Sequence, residues 1–350
     1  MSQTALQPWL SSPEACTGVY NGAEMALSFG DSGSELAALR YGCGLFALTW
    51  RARINVGGKD RVRWLHNMVT NNVRDLPVNR GNYNFVLNVQ GRILGDMYIF
   101  NRGEMLMLET DASQVETLIT AMKRFIIMDK VDLSSAGEST MAIGVCGPKA
   151  ETVLAAAGIN AGGMQPLEVR DLNIDGLTAT LVRGPEQRPG WFEIWLDPDK
   201  AQNLWAMLVK AEAQPVGAEA LEMWRVLRGI PNYGQDIRDR DLPQETEQVQ
   251  ALNFTKGCYI GQEIVERIRS RGQVHRKFTG FVFGDRVPAL GKYDFEGRAL
   301  AEITSVARVP AAEGQKNIGL GYVRREALAT GPTITLDGIE ATAVELPFEV

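Results

Sequence analysis

The residues best suited to chemistry lie in one short run, Lys256-Gly257-Cys258-Tyr259-Ile260-Gly261-Gln262-Glu263, which leads into a helical pattern with apolar positions Ile260, Ile264, Val265 and Ile268. A thiol near a helix N-terminus meets unpaired backbone N–H groups and the positive end of the helix dipole. Lys256 adds a cation close in sequence, so Cys258 is expected to be an accessible, reactive thiol with Lys256 as its activator. The competing reading is a small buried hydrophobe, against which the flanking glycines and the lysine both speak. A second candidate is Asp96, at the end of Gly91-Arg92-Ile93-Leu94-Gly95-Asp96. It shares a strand face with Leu94, Tyr98 and Phe100 and should be partly buried and in need of a partner.

The elements that position these groups alternate between short strands and helices, an α+β pattern without internal repeats. RINVGGKDRVRWLHNMVTNNV predicts a strand, a Gly-Gly turn and a helix capped by Asp60. YNFVLNVQGRILGDMYIF predicts a hairpin turning at Gln90 and Gly91, followed by a strand near MLMLE and a helix over ASQVETLITAMKRFII. Further strands are expected at MAIGVCG, LTATLVRG and GWFEIWL, with an amphipathic helix at DKAQNLWAMLVKAEAQ. After RSRGQVHRKF, short β-like runs split by Gly and Pro predict a small antiparallel barrel.

With 350 residues, 45% hydrophobic and 22% charged, the chain can bury a full core and exceeds one ordinary domain. A net charge of −6 argues against a general nucleic-acid binder. Locally the balance reverses: between Lys256 and Lys277 stand six cationic residues against Glu263 and Glu266. Polyglutamylated folate, an acidic client or RNA would each suit that excess, and so would a solvated helix face. Four scattered cysteines and two histidines predict no zinc or four-thiolate cluster site, so no metal ligand is assigned. No membrane span and no leader pattern at the start are found, so a cytoplasmic location is expected. Walker, dinucleotide and nucleophile-elbow motifs find no match in the sequence.

The Lys256–Glu263 run, with the preceding GIPNYGQDIRDRDLPQET, resembles the K-G-C-Y-x-G-Q-E signature of the YgfZ proteins. The resemblance continues through GLFALTWRARINVGGKDRVRWLHNMVTNNV and LNVQGRILGD to SVARVP and GLGYVRRE. The wider family is that of the glycine-cleavage T-protein, an aminomethyltransferase. It implies a ring of three domains around a central folate site: residues 1–272 as two interleaved α+β subdomains (about 51–136 with 216–272, and 1–50 with 137–215), and 273–350 as the C-terminal β barrel. It further implies a cofactor, tetrahydrofolate or a formyl or methylene derivative, bound by Asp96, Arg225, Tyr259 and Glu193. The partners implied are iron-sulfur client enzymes or assembly proteins, with indirect support of tRNA modification and no membrane.

Departures from the T-protein pattern separate the two branches. Cys258-Tyr259-Ile260-Gly261 stands where T-proteins resemble D-F-I-G, so an acid has become a thiol. Gly95-Asp96 keeps one carboxylate of a G-G-x-x-D-D pattern. In the register of T-G-E-x-G-F-E-I, Pro189 replaces the folate-orienting glutamate, and Glu193 lies nearby at a different strand position. Arg225, in LEMWRVLRGIP, matches an arginine whose guanidinium fork suits the glutamate tail of folate. The resemblance therefore implies a folate-dependent accessory factor for iron-sulfur enzymes. The alternatives are a one-carbon transferase of the aminomethyltransferase kind and a non-catalytic scaffold for clients.

Overall fold

Apolar alternation sets the sheets of this protein, seen in a computed structural model that describes residues 15–349 except 175, 273, 296, 313 and 330. The first fourteen residues, read above for a leader, lie outside it. The expected hairpin forms from strands Gly81–Leu87 and Ile93–Asn101, turning at Gln90 and Gly91. In Ile93–Asn101 the residues Ile93, Gly95, Met97 and Ile99 are buried, while Leu94, Asp96 and Tyr98 are half-buried. The hairpin belongs to a five-stranded sheet continued by Leu106–Asp111, Arg51–Gly57 and Asp132–Ser135.

A six-stranded sheet runs in the order Val169–Ile174, Leu177–Arg183, Trp191–Leu196, Met141–Cys146, Gly44–Ala47, Gln214–Pro215. Trp191–Leu196 is buried at every position, as expected of a strand covered on both faces. Helices Ala150–Ala156 and Pro198–Lys210 supply Val153, Leu154, Leu204 and Leu208 to its core beside Leu45, Ile143 and Ile194. Asp197 caps the second helix, accepting from the Asp199 N–H at 3.1 Å, and Pro198 occupies the first turn, where a missing N–H costs nothing.

The C-terminal strands form a six-stranded antiparallel sheet in the order Gly291–Phe295, Arg298–Ala311, Gly314–Arg324, Arg276–Phe283, Ile339–Val344, Thr333–Leu336. Among the described residues this pairing stays open, so the expected barrel is a curled antiparallel half-barrel. Phe281, Phe283, Ile303, Val323 and Leu336 fill its inner face. The chain packs into two compact units. Of the described residues, one unit holds those up to His66, Asn72–Asn84 and Met97–Leu221; the other holds Asn67–Asn71, Phe85–Asp96 and those from Glu222 onward. The expected boundary at 272/273 falls inside the second unit. Among the described residues no helix is long and apolar enough to cross a membrane.

Candidate functional site around Cys258

The Cys258 loop is held by polar side chains of its own neighbourhood. Asn253 Oδ1 accepts the N–H groups of Thr255 and Lys256, both at 2.9 Å, which curls the chain before the cysteine. Thr70 Oγ1 donates to the Ala251 carbonyl at 2.6 Å and accepts the Phe85 N–H at 2.9 Å; Asn71 Nδ2 donates to the Gln250 carbonyl at 2.8 Å. Beyond the cysteine, the Ile260 N–H donates to the Asn67 carbonyl at 3.3 Å. Gly257 and Cys258 between these anchors are exposed.

Two glycines fix the far side. Gly261 has φ +83°, and a Cβ there would lie 2.6 Å from the Asn88 carbonyl oxygen and 3.2 Å from Gly91 Cα. Gly91 has φ +70°, and its Cβ would lie 2.7 Å from Ile264 Cβ. The hairpin turn thus presses backbone to backbone on the entrance of helix Gln262–Arg271, which only glycine permits. Because the helix opens at Gln262, Ile260 belongs to the preceding turn, and Cys258 stands farther from the helix end than its apolar spacing suggested.

Lys256 is buried. Its Nζ donates to the carbonyls of Val69 at 2.6 Å and Asn71 at 2.8 Å and lies 5.0 Å from the Tyr259 ring centroid. The activating role expected for it corresponds instead to these structural bonds, since carbonyls take the charge that was assigned to the thiol. Lys256→Met is expected to leave both carbonyls short of a charged donor and cost about 2–4 kcal/mol, read from the urea midpoint. A cost below about 0.5 kcal/mol would contradict this account.

Tyr259 is buried, and its Oη has no partner among the described residues. Burial, with Glu266 adding to it, pushes its hydroxyl up to about 12. A buried hydroxyl without a partner is costly, which makes Tyr259 a credible donor or acceptor for a ligand. Asp96 is half-buried in the same unit, near Tyr233, whose Oη donates to the Leu94 carbonyl at 2.8 Å. Burial first, then the Asp96 charge, raises the Tyr233 hydroxyl above its ordinary range.

Arg225 is also buried, and its donor inventory closes on protein acceptors. Nε and Nη2 form a fork on Glu222, Nη1 donates to the Ile230 carbonyl at 2.7 Å and to Asp236 at 2.6 Å, and Nη2 donates to Ser305 Oγ at 2.8 Å. All five N–H groups are engaged, leaving none for a folate tail. Asp236, fully buried, also accepts from the Asn232 N–H at 2.9 Å and from Ser305 Oγ at 2.7 Å. Arg276 Nη2 donates to Asp241 at 2.6 Å and to Glu245 at 3.0 Å, and its Nη1 donates to Glu302 at 3.3 Å. Arg276 is thereby matched by carboxylates within the fold, while Arg267 of the same segment stays exposed.

Glu193 belongs to the other unit. Its two oxygens accept the indole N–H groups of Trp191 at 3.0 Å and Trp195 at 2.9 Å. Arg53, buried 4.8 Å from the Trp195 ring centroid, has Nε and Nη2 without a partner among the described residues. Sequence reasoning singled out neither Arg53 nor the buried acids Asp236 and Asp241. The turn-rich run GIPNYGQDIRDRDLPQET held the signal for the acids, because carboxylates crowded into a loop that must be buried require cations.

Comparison with known proteins decides the family. Residues 6–256 match the family model described as the GCVT N-terminal domain. The chain belongs to the GCVT family. Similar proteins include a putative chloroplastic transferase of Arabidopsis thaliana, 24% identical over 92% of this chain and 74% of its own length. An aminomethyltransferase of Geobacillus kaustophilus is 26% identical over 94% of this GCVT-family chain and 93% of its own. The glycine cleavage system aminomethyltransferase T of Bartonella henselae superposes with a TM-score of 0.84 at 22% identity, covering 96% of this chain and 94% of that one. The mixed α+β fold is therefore of the T-protein type.

Proposed function

We propose that this GCVT-family protein binds tetrahydrofolate, or its formyl or methylene derivative, and acts through Cys258 as an accessory factor that keeps iron-sulfur enzymes active. The observation that carries the reading is an exposed thiol on a loop anchored at both ends; the resemblance adds that T-proteins carry an acid at this place. Asp96 and the unpartnered Tyr259 hydroxyl suit the polar edge of a reduced pterin, which supplies one-carbon chemistry when bound. Arg225 and Glu193 act as supports, because their polar atoms are already matched within the protein. Cys258 presents a nucleophilic sulfur to whatever the partner brings, whether iron, a disulfide or a carbon adduct.

The test is a deletion strain scored for several cluster-dependent enzymes, with rescue by the wild-type gene and by Cys258→Ser. Activities should fall without the gene and return with the wild type only. Unchanged activities in the deletion strain would sink the reading. Calorimetry with reduced folates tests the ligand separately, with Asp96→Asn expected to weaken binding. A second reading, aminomethyl transfer, is favoured by the relatives bearing that name over 94% of this chain.

A further inference from the structure

A groove of about 670 Å³ runs along the helix Gln262–Arg271. Leu242, Ile264, Ile268 and Val89 give it an apolar floor, and Arg92 and Arg267 stand on it as exposed cations, Arg92 with one N–H of its guanidinium on the Arg240 carbonyl and the rest of the charge open to solvent. Val89 is 68% exposed, an unusual place for a β-branched apolar residue on a hairpin tip. The groove is preformed, since Gly91 and Gly261 lock the turn against the helix entrance. Nearby cations of the same stretch are spent elsewhere: Lys256 on carbonyls, Arg276 on Asp241, Glu245 and Glu302, and Arg269 on Glu266 and the Phe254 ring.

We propose that this groove docks an acidic amphipathic segment of a partner protein, at the hairpin turn that meets Gly261 three residues after the exposed Cys258. An aliphatic floor flanked by guanidinium groups is complementary to a helix with an apolar stripe and carboxylates on its flanks. Charge chooses the partner, because a chain of net charge −6 repels acidic proteins elsewhere and accepts them where arginines stand out. A single-stranded RNA fits less well: its bases need aromatic faces to stack on, and the floor has none. A small molecule would stay largely in water in an open groove. The proposal adds a partner to the folate reading and uses none of the residues assigned to folate.

The experiment uses the full chain and a fluorescein-labelled peptide with leucines at i, i+3, i+4 and i+7 and glutamates on its other faces. Anisotropy should give a Kd of about 1–100 μM, weakening with salt. Val89→Asp and Arg267→Glu, both surface changes, should each weaken binding about tenfold or more while leaving the far-ultraviolet circular dichroism unchanged. Saturating peptide should slow alkylation of Cys258 several-fold. Loss of the idea follows from no binding below about 1 mM, from equal binding of the same peptide with lysines for glutamates, from RNA binding in place of the peptide, or from variants that bind as the wild type does. A protein that takes folate but ignores the peptide loses this proposal alone; one that takes the peptide but no folate loses the other.

Discussion

Arg225→Met is expected to cost about 3–5 kcal/mol of stability, the range for breaking a buried ion pair by removing one partner. The side chain is 9% exposed and Asp236 is 0% exposed, so solvent cannot replace the lost charge. Methionine keeps the packing volume while deleting five donors, leaving Glu222, the Ile230 carbonyl, Asp236 and Ser305 to find new partners. The urea midpoint of the variant measures the effect. A loss below about 1 kcal/mol, together with weakened binding of glutamate-bearing folates alone, would return Arg225 to the ligand. Acid should weaken the same region through Glu302. Burial raises that carboxyl, yet Arg238, Arg240 and Arg276 outweigh it and leave it below the ordinary range. A depressed folded-state pKa means stability is present above the unfolded value of about 4.3 and is lost as pH falls through the folded one.

Aminomethyl transfer should run at least about a hundredfold slower than in an authentic T-protein. That reaction needs the reactive folate nitrogens aligned with the incoming carbon, and a misplacement of about 1 Å can cost on the order of a hundredfold. The resemblance read from the sequence puts Gly95 and Pro189 where T-proteins carry carboxyl groups, and on the proposed folate reading two groups that would orient the pterin and manage protons are missing. Glu193 does not substitute, because both its oxygens are held by indoles. The assay supplies aminomethyl-loaded lipoyl carrier and tetrahydrofolate and follows methylene-tetrahydrofolate and ammonia. Turnover within about tenfold of the control would transfer the assignment to the aminomethyltransferase reading.

Local pattern carried the elements well. The hairpin around Gln90-Gly91 and the strands Met141–Cys146, Leu177–Arg183 and Trp191–Leu196 fall where alternation and turn residues placed them. Boundaries slipped where tertiary contacts govern. The helix expected through Ile127 stops at Lys123, and Ile127 and Met128 end up 83% and 91% exposed, which apolar periodicity cannot foresee. Ile260 looked helical by spacing but lies in the turn before Gly261, where a positive φ sets the helix start. Asp60, expected as a helix cap, does stand immediately before the helix Arg61–Met68 with its carbonyl accepting the Trp64 N–H at 2.9 Å, while its side chain accepts the Lys130 N–H at 2.9 Å.

At the site, the exposure of Cys258 and the half-burial of Asp96 could be read from their neighbours in sequence. The fates of Lys256 and Arg225 could not. Each finds its acceptors far along the chain, Lys256 at Val69 and Asn71 and Arg225 at Ser305, and no spacing rule links those positions. A basic run was legible as charge, whereas the pairing of its Arg276 with Asp241, Glu245 and Glu302 depended on the C-terminal sheet folding back on the loop.

The backbone contact between Gly91 and Gly261 bears on how the sulfur can work. Carriers that ferry a group between centres use a long tether that swings. Here the loop is held at Lys256 on one side of the thiol and at Ile260 and Gly261 on the other, so Cys258 has only a very short stretch of chain and its own side chain to move. Such a sulfur is a fixed terminal. Transport must be done by the molecules that visit it, and turnover is governed by their arrival and departure rather than by any travel of the loop.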